Sequence, residues 1–264
     1  MIKQAIIPLA GLGTRMLPLS KVYPKELWPI GNKSILENIL DECFKADIKQ
    51  VVFVISQRKK IIKDYFKKSV SLEKKVKNKP ELLKHLKKLD KMSLKIKFVY
   101  QDKPKGLGDA VLCAKKFITS KHFLLLLPDD IIIGRNCSKE IIAINKKTKS
   151  SVLALRKVTK KDVKRYGIVG FDNFKNLKIN KMMEKPSIKN SPSQYAIIGR
   201  YVLNKSIFDY LGNQKRGKSG EIQITDAMSA MLSYENFYGH KFKGKYLDCG
   251  TLKGYIKSFI EINK

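Results

Sequence analysis

Three short apolar runs do most to restrict the folds open to this chain. Ala5-Ile6-Ile7, Val51–Ile55 and His122–Leu127 are too short for buried helices and read as buried strands. Lys95–Tyr100 alternates as a fourth. Between them lie stretches with helical spacing. Ser34-Ile-Leu-Glu37 is a capping box, and Ile35, Leu36, Ile39, Leu40, Cys43 and Phe44 follow it on one face. Ile61, Ile62, Tyr65 and Phe66 mark a second helix, and Ala110–Phe117 and Ile141–Ile144 mark others. Residues 67–93 are lysine-rich, with Leu82, Leu83, Leu86 and Leu89 as an apolar stripe and Pro80 as a break. We read them as a solvated helical excursion whose stripe is a packing face. Alternating strands and helices predict an α/β fold: a three-layer, Rossmann-like, mixed but mostly parallel sheet. Its working loops should follow the carboxyl ends of the strands. Further strands are expected at about 151–158, 167–172, 195–203 and 236–243, with connecting loops carrying Tyr166-Gly167 and Met183–Pro186. Glu221–Leu232 and a last segment from about 252 should be helical.

The first apolar run leads into Gly11 and Gly13, then Thr14 and Arg15, with Lys25 further on. Two nearby glycines let a backbone turn tightly and aim several N–H groups at one anion. On their own they would read equally as a strand-end turn. Pro18, Pro24 and Pro29 argue against an ordinary helix after the loop. Met16 stands where a dinucleotide fingerprint needs its third glycine, and the Gly-Lys-Ser/Thr of a Walker A loop is absent.

Lys and Arg number 55 against 23 Asp and Glu, for a net charge of +32. The lysines are spread through nearly every segment and no nucleic-acid motif accompanies them, so only weak, salt-sensitive binding to nucleic acid is expected. No stretch approaches the ~20 apolar residues of a membrane helix. With Met1-Ile2-Lys3 leading at once into the first strand, no signal peptide is expected, and four scattered cysteines fit the expectation of a reduced, cytoplasmic protein.

The string AGLGTRMLPLSKVYPKELWP, beginning at Ala10, resembles the signature of the sugar-nucleotide pyrophosphorylases, the uridylyltransferase branch in particular. Ser20 replaces the usual Thr, and Trp28 stands at a usually aliphatic position. KGLGDAV at Lys105–Val111, LPDD at Leu127–Asp130, YGIV at Tyr166, MEKP at Met183, IIGRYVL at Ile197, GEIQITDA at Gly220 and LDCG at Leu247 follow in the same order. Asp109 replaces the usual His.

The resemblance implies a direct attack of glucose 1-phosphate on the α-phosphorus of UTP, giving UDP-glucose and pyrophosphate. It implies that Arg15 and Lys25 hold the triphosphate, that Asp129 and Asp248 hold Mg²⁺, and that Lys185 binds the sugar phosphate. Glu184 would bind glucose hydroxyls and Gly167 would lie against the ring. Gln101 and Gly106, with the Ala10-Gly11 backbone of the Gly11–Gly13–Thr14 loop, would read the uracil. Taken alone, Asp248 reads as a turn residue and Glu184-Lys185 as an exposed pair before a proline. His85, His122 and His240 match no catalytic position and read as satisfied surface or strand-edge residues. The expectation is one domain, with a nucleotide half over about 1–135 and a sugar-phosphate half over about 136–264, forming a homodimer or homotetramer. A thymidylyltransferase making dTDP-glucose and a catalytically weak regulatory relative are the alternatives.

Overall fold

A computed structural model describes residues 1–214 and 220–264. β1 (Gln4–Pro8) ends in the glycine loop. After it, β2 (Pro29–Ile30) and β3 (Lys33–Ser34) form a small hairpin that leads into α1 (Ile35–Lys45). Ser34 caps α1 as its sequence predicts, with the hydroxyl accepting from Glu37 N–H and the Glu37 carboxylate accepting from Ser34 N–H. β4 (Gln50–Ile55), α2 (Ile61–Tyr65), α3 (Val70–Lys75), α4 (Pro80–Ser93), β5 (Ile96–Tyr100), α5 (Leu107–Cys113) and β6 (His122–Leu126) complete the first half. Then come β7 (Asp130–Ile133), α6 (Cys137–Thr148), β8 (Ser151–Lys157), β9 (Gly167–Asn173), β10 (Lys178–Glu184) and β11 (Tyr195–Asn204). α7 (Ile207–Asn213), α8 (Ile224–Met231), β12 (Phe237–Lys241), β13 (Lys245–Asp248) and α9 (Leu252–Ile262) follow.

Among the described residues nine strands form one sheet, in the order β5-β4-β1-β6-β11-β8-β12-β10-β9. β5, β4, β1 and β6 are parallel, whereas β11 runs antiparallel to both β6 and β8. The strands' two-residue period sorts their side chains onto two faces. Ala5, Ile7, Val51, Phe53, Ile55, Leu124 and Leu126 pack under α1, α4 and α6. Ile6, Val52, Val54, Phe123 and Leu125 pack under α5, α7 and α8. Helices on both faces of a mixed sheet make the predicted three layers. No helix among the described residues is long and apolar enough to cross a membrane.

Three expectations need correction. Met183 and Glu184 belong to β10, and Gly167 opens β9, with Glu184 opposite Gly167 in the ladder. A register shift between Ile179 and Lys181 breaks the alternation there, so the segment does not look like a strand. The apolar strand stops at Leu126, one residue short of the expected Leu127, and Asp130 starts a separate ribbon in which β7 pairs with β13. The buried ring Nε2 of His122 has no partner among the described residues, although His85 and His240 are satisfied by Glu37 at 2.6 Å and Glu140 at 2.7 Å.

Candidate active site

The glycine loop, the loops after β5 and β6 and the ends of β10 and β13 converge at one edge of the parallel strands. Gly13 takes a left-handed φ of 68° that lets the chain turn into a single 3₁₀ turn, Thr14–Met16. The Ser20 hydroxyl donates to Gly13 O at 2.8 Å, so the Ser that replaces Thr still ties the loop down. Downstream, Glu26 is buried and accepts from Lys59 Nζ through both oxygens, at 2.8 and 2.9 Å. This clamp, with Trp28 packed edge-on against Tyr255, holds the Pro24–Trp28 segment against the body. Lys25 is thereby aimed inward, and its Nζ stands 2.6 Å from Asp129 Oδ2, with an Arg15 nitrogen 3.5 Å from the same oxygen.

Asp129 and Asp248 meet through the β7–β13 ribbon, where Asp130 pairs with Asp248. A Cβ added at Gly250 would lie 2.9 Å from Asp129 Oδ2, 3.0 Å from Asp248 Oδ1 and 3.2 Å from an Arg15 nitrogen. Both carboxylates thus face one small cradle that any side chain at position 250 would fill. Asp248 Oδ1 also accepts from Gly250 N–H at 2.8 Å, and Arg165 approaches its other oxygen at 3.7 Å. The described residues hold no cluster of three or more His, Cys, Asp or Glu that could cage a metal. Two hard carboxylates around a gap nevertheless suit Mg²⁺, which commonly takes one or two carboxylates and completes its shell with substrate phosphates and water.

Burial alone would raise the Asp129 pKa, but the Lys25 and Arg15 charges outweigh it and hold the carboxyl below its usual range. Burial likewise disfavours charged Lys25, and the Asp129 and Glu26 charges more than restore it, so its pKa is raised. Neighbouring Asp130 is pushed up to about 6, first by burial and then by the Asp129 charge. Its carboxylate is structural: it accepts from Tyr246 OH at 2.6 Å and from Gly199 N–H at 2.9 Å.

A further support was invisible in the sequence. Arg200 on β11 is fully buried and grips both oxygens of Glu42 on α1 at 2.8–3.0 Å. Its remaining donors reach the carbonyls of Leu127, Gly199 and Asp130, at 3.3, 2.8 and 2.7 Å. The turn that carries Asp129 is therefore anchored from below, on both sides.

Two cavities share this edge. One, of about 510 Å³, is lined by Ala10, Gly11, Gly13, Lys25, Gln101 and Gly106. The other, of about 710 Å³, is lined by Gly167, Glu184, Lys185, Thr225 and Asp248. Thr14, Arg15 and Asp129 line both and so mark the junction, and Glu221 and Gln223 from the second half also serve both. All the residues expected at the site come together in this cleft.

On the larger side, the Thr225 hydroxyl donates to Glu184 Oε2 at 2.7 Å, and Lys185 Nζ lies 3.4 Å from Glu184 Oε1. Lys185 has a left-handed φ of 42°, and its N–H donates to Tyr166 O at 3.0 Å. That turn ends β10 and leaves the ammonium at the rim. A Cβ at Gly167 would come 2.9 Å from Thr225 Oγ1 and 3.3 Å from Glu184 Oε2. The immediate reason for glycine there is thus the packing of Thr225 and Glu184. On the smaller side, Gly106 has a φ of 102° that favours glycine, and a Cβ there would strike Ile222 O at 2.8 Å. Arg165, Thr225 and Tyr246 were not expected at the site. Arg165 and Tyr246 each lay beside a noted motif and Thr225 within one, but nothing in its own spacing singled any of them out.

The nucleotidyl transferase family model matches residues 4–264. The UTP–glucose-1-phosphate uridylyltransferase of Bacillus subtilis (strain 168) is 37% identical over 265 residues, 98% of this chain and 90% of that protein. A solved UDP-glucose pyrophosphorylase complexed with UDP-glucose superposes with a TM-score of 0.88 at 32% identity, covering 100% of this chain and 99% of that one. A UTP-bound UGPase from Acinetobacter baumannii superposes with a TM-score of 0.90 at 31% identity, covering 99% of this chain and 93% of that one. With its full length matched in both sequence and shape, the chain belongs to the nucleotidyl transferase family, in the branch of the UTP–glucose-1-phosphate uridylyltransferases.

Proposed function

We propose that this protein converts UTP and glucose 1-phosphate to UDP-glucose and pyrophosphate. The observation that carries the reading is the junction of the two cavities at Arg15 and Asp129, with Lys25 paired to Asp129 from the smaller cavity and Lys185 lining the larger one. The sugar-phosphate oxygen attacks the α-phosphorus in line. A new O–P bond forms as the α–β bridging bond breaks, and pyrophosphate leaves. The nucleophile is already an anion, so the protein needs no base; it must hold two polyanions together and neutralise developing charge. Arg15 and Lys25 bind the triphosphate and the departing pyrophosphate. Lys185 binds the attacking phosphate, and Glu184, set by Thr225, accepts from glucose hydroxyls. Asp129 and Asp248 would hold Mg²⁺, which supplies charge neutralisation at the α-phosphate. In the free protein Lys25 and Arg15 neutralise Asp129 instead, so binding of a metal and a triphosphate exchanges one set of charge pairs for another.

In this reading residues up to about 135 supply most of the nucleotide side and later residues most of the sugar side, within one cytoplasmic domain. In the same reading nucleic acid is bound only weakly, without sequence preference and less as salt rises, and no membrane partner is called for. An exposed apolar stripe on α9, formed by Leu252, Ile256, Phe259 and Ile260, supports assembly as a homodimer or homotetramer. Sedimentation would check that state. The activity is tested by measuring pyrophosphate release with each nucleoside triphosphate and several sugar 1-phosphates. UTP with glucose 1-phosphate should be the best pair, and EDTA should abolish turnover. A preference for dTTP would move the protein to the thymidylyl branch. No release with any pair would leave a regulatory relative.

A further inference from the structure

Gln101 ends β5 with its backbone N–H donating to Ile55 O at 2.9 Å, and it is only 5% exposed. Its side-chain nitrogen Nε2 donates to Asp109 Oδ2 at 2.6 Å and to Gly106 O at 3.2 Å. Both partners are acceptors: a carbonyl never donates, and neither does an ionised carboxylate. Turning the amide over would set Oε1 against two acceptors in a buried place and leave the pair unsatisfied. The orientation is therefore dictated by the neighbours. No described residue donates to Gln101 Oε1, and Gln101 lines the smaller cavity together with Ala10 and Gly106. The wall of that cavity thus carries a fixed acceptor.

Pyrimidines differ in what they offer an acceptor. Uracil and thymine carry an N3–H donor. Cytosine has a bare lone pair at N3, which an acceptor repels. We propose that Asp109 is a positioning residue for base choice: by holding the Gln101 amide it keeps Oε1 facing the base, and so selects pyrimidines with an N3–H over cytosine. This rests on the reading of the smaller cavity as the nucleotide side. Asp109 lies in the first turn of α5, where a carboxylate also favours the helix dipole. That role would affect stability and would touch UTP and CTP alike.

The test compares kcat/KM for UTP and CTP at fixed glucose 1-phosphate, alongside thermal melting of each variant. The wild type should favour UTP by about 10–100-fold, the range set by one unsatisfied polar contact. Asp109→Asn should keep that ratio, because its amide oxygen still accepts from Gln101. Asp109→Leu should reduce the ratio at least tenfold, with the loss falling on UTP and a gain on CTP. Asp109→Ser, whose hydroxyl is too short to reach Gln101 and which suits a helix start, should do the same if the Leu variant does not fold. A folded Leu or Ser variant with the wild-type ratio would overturn the proposal. So would an Asn variant that lost the ratio as fully as Leu, since charge rather than orientation would then matter. A wild type that preferred a purine nucleotide would instead refute the uridylyl reading itself.

Discussion

Removing Arg200 should both loosen the fold and weaken catalysis, although Arg200 lines neither cavity. The side chains of Arg200 and Glu42 are 0% and 9% exposed, so solvent screens the pair little. Breaking a buried pair by deleting one partner costs about 3–5 kcal/mol. Arg200→Met belongs near the lower end, because Glu42 Oε1 keeps its bonds from Ser138 N–H at 3.0 Å and Ser138 OH at 2.6 Å. Glu42→Leu belongs near the upper end, because it strands the guanidinium and both Ser138 donors. The double variant should be less destabilised than the two singles added together, by about 1–3 kcal/mol, since removing both members leaves no buried unpaired charge. Urea unfolding followed by far-UV circular dichroism and by the single tryptophan, Trp28, measures this. With a slope of about 3 kcal/mol/M, Arg200→Met should lower the midpoint by about 1 M. The still-folded Arg200→Met enzyme should turn over more slowly, because the carbonyls on either side of Asp129 lose their donors. Strictly additive losses, or a loss under about 0.5 kcal/mol for Arg200→Met, would refute the reasoning.

Asp129→Asn and Asp248→Asn should each cut turnover on the order of 10²–10³-fold while the protein stays folded, and a wild-type rate in either would remove that residue from the metal site. Lys185→Ala should lose on the order of 10²–10³ in kcat/KM for glucose 1-phosphate. UTP affinity, measured by calorimetry, should hold; a loss confined to UTP would put Lys185 on the other substrate. Gly167→Ala should displace Thr225 and Glu184 and lower kcat/KM for the sugar phosphate by about 10–100-fold, the scale of a misplaced binding group. Crystallography of that variant should find Thr225 Oγ1 moved away from Glu184, and an unmoved pair would contradict the packing argument.

The parts of this molecule that could be read from the chain are those whose cause is local. The apolar runs at Ala5–Ile7 and Val51–Ile55 became central strands because each buries both faces, and the Ser34–Glu37 box starts α1 because its partners are three residues apart. Gly13, Arg15 and Asp129 were legible because strand-end loops gather at one edge of a parallel sheet. What could not be read depends on distant partners. β10 hides behind its register shift, and the Arg200–Glu42 pair joins residues with nothing in their own neighbourhoods to connect them. Asp109 was noticed as a departure from the related motif, but its contact with Gln101 becomes visible only once α5 folds back over the end of β5.

The β7–β13 ribbon also bears on the order in which the molecule becomes competent during synthesis. The ribosome delivers the glycine loop, Lys25, Gln101 and Asp129 first, and the first four parallel strands can dock as soon as β6 emerges. Until β13 arrives, Asp248 is missing and so is Tyr246, whose hydroxyl holds Asp130 from 116 positions along the chain. A partly made chain would therefore display its glycine loop with only one of the two carboxylates proposed to hold a metal. Closing so long a loop is among the slower events a small domain undergoes, because the entropy of bringing the ends together is lost before the contacts form. If Asp129 and Asp248 hold Mg²⁺ as proposed, nucleotide and metal together would favour that late-arriving strand, so a refolding chain should gain activity last and gain it faster when both are present.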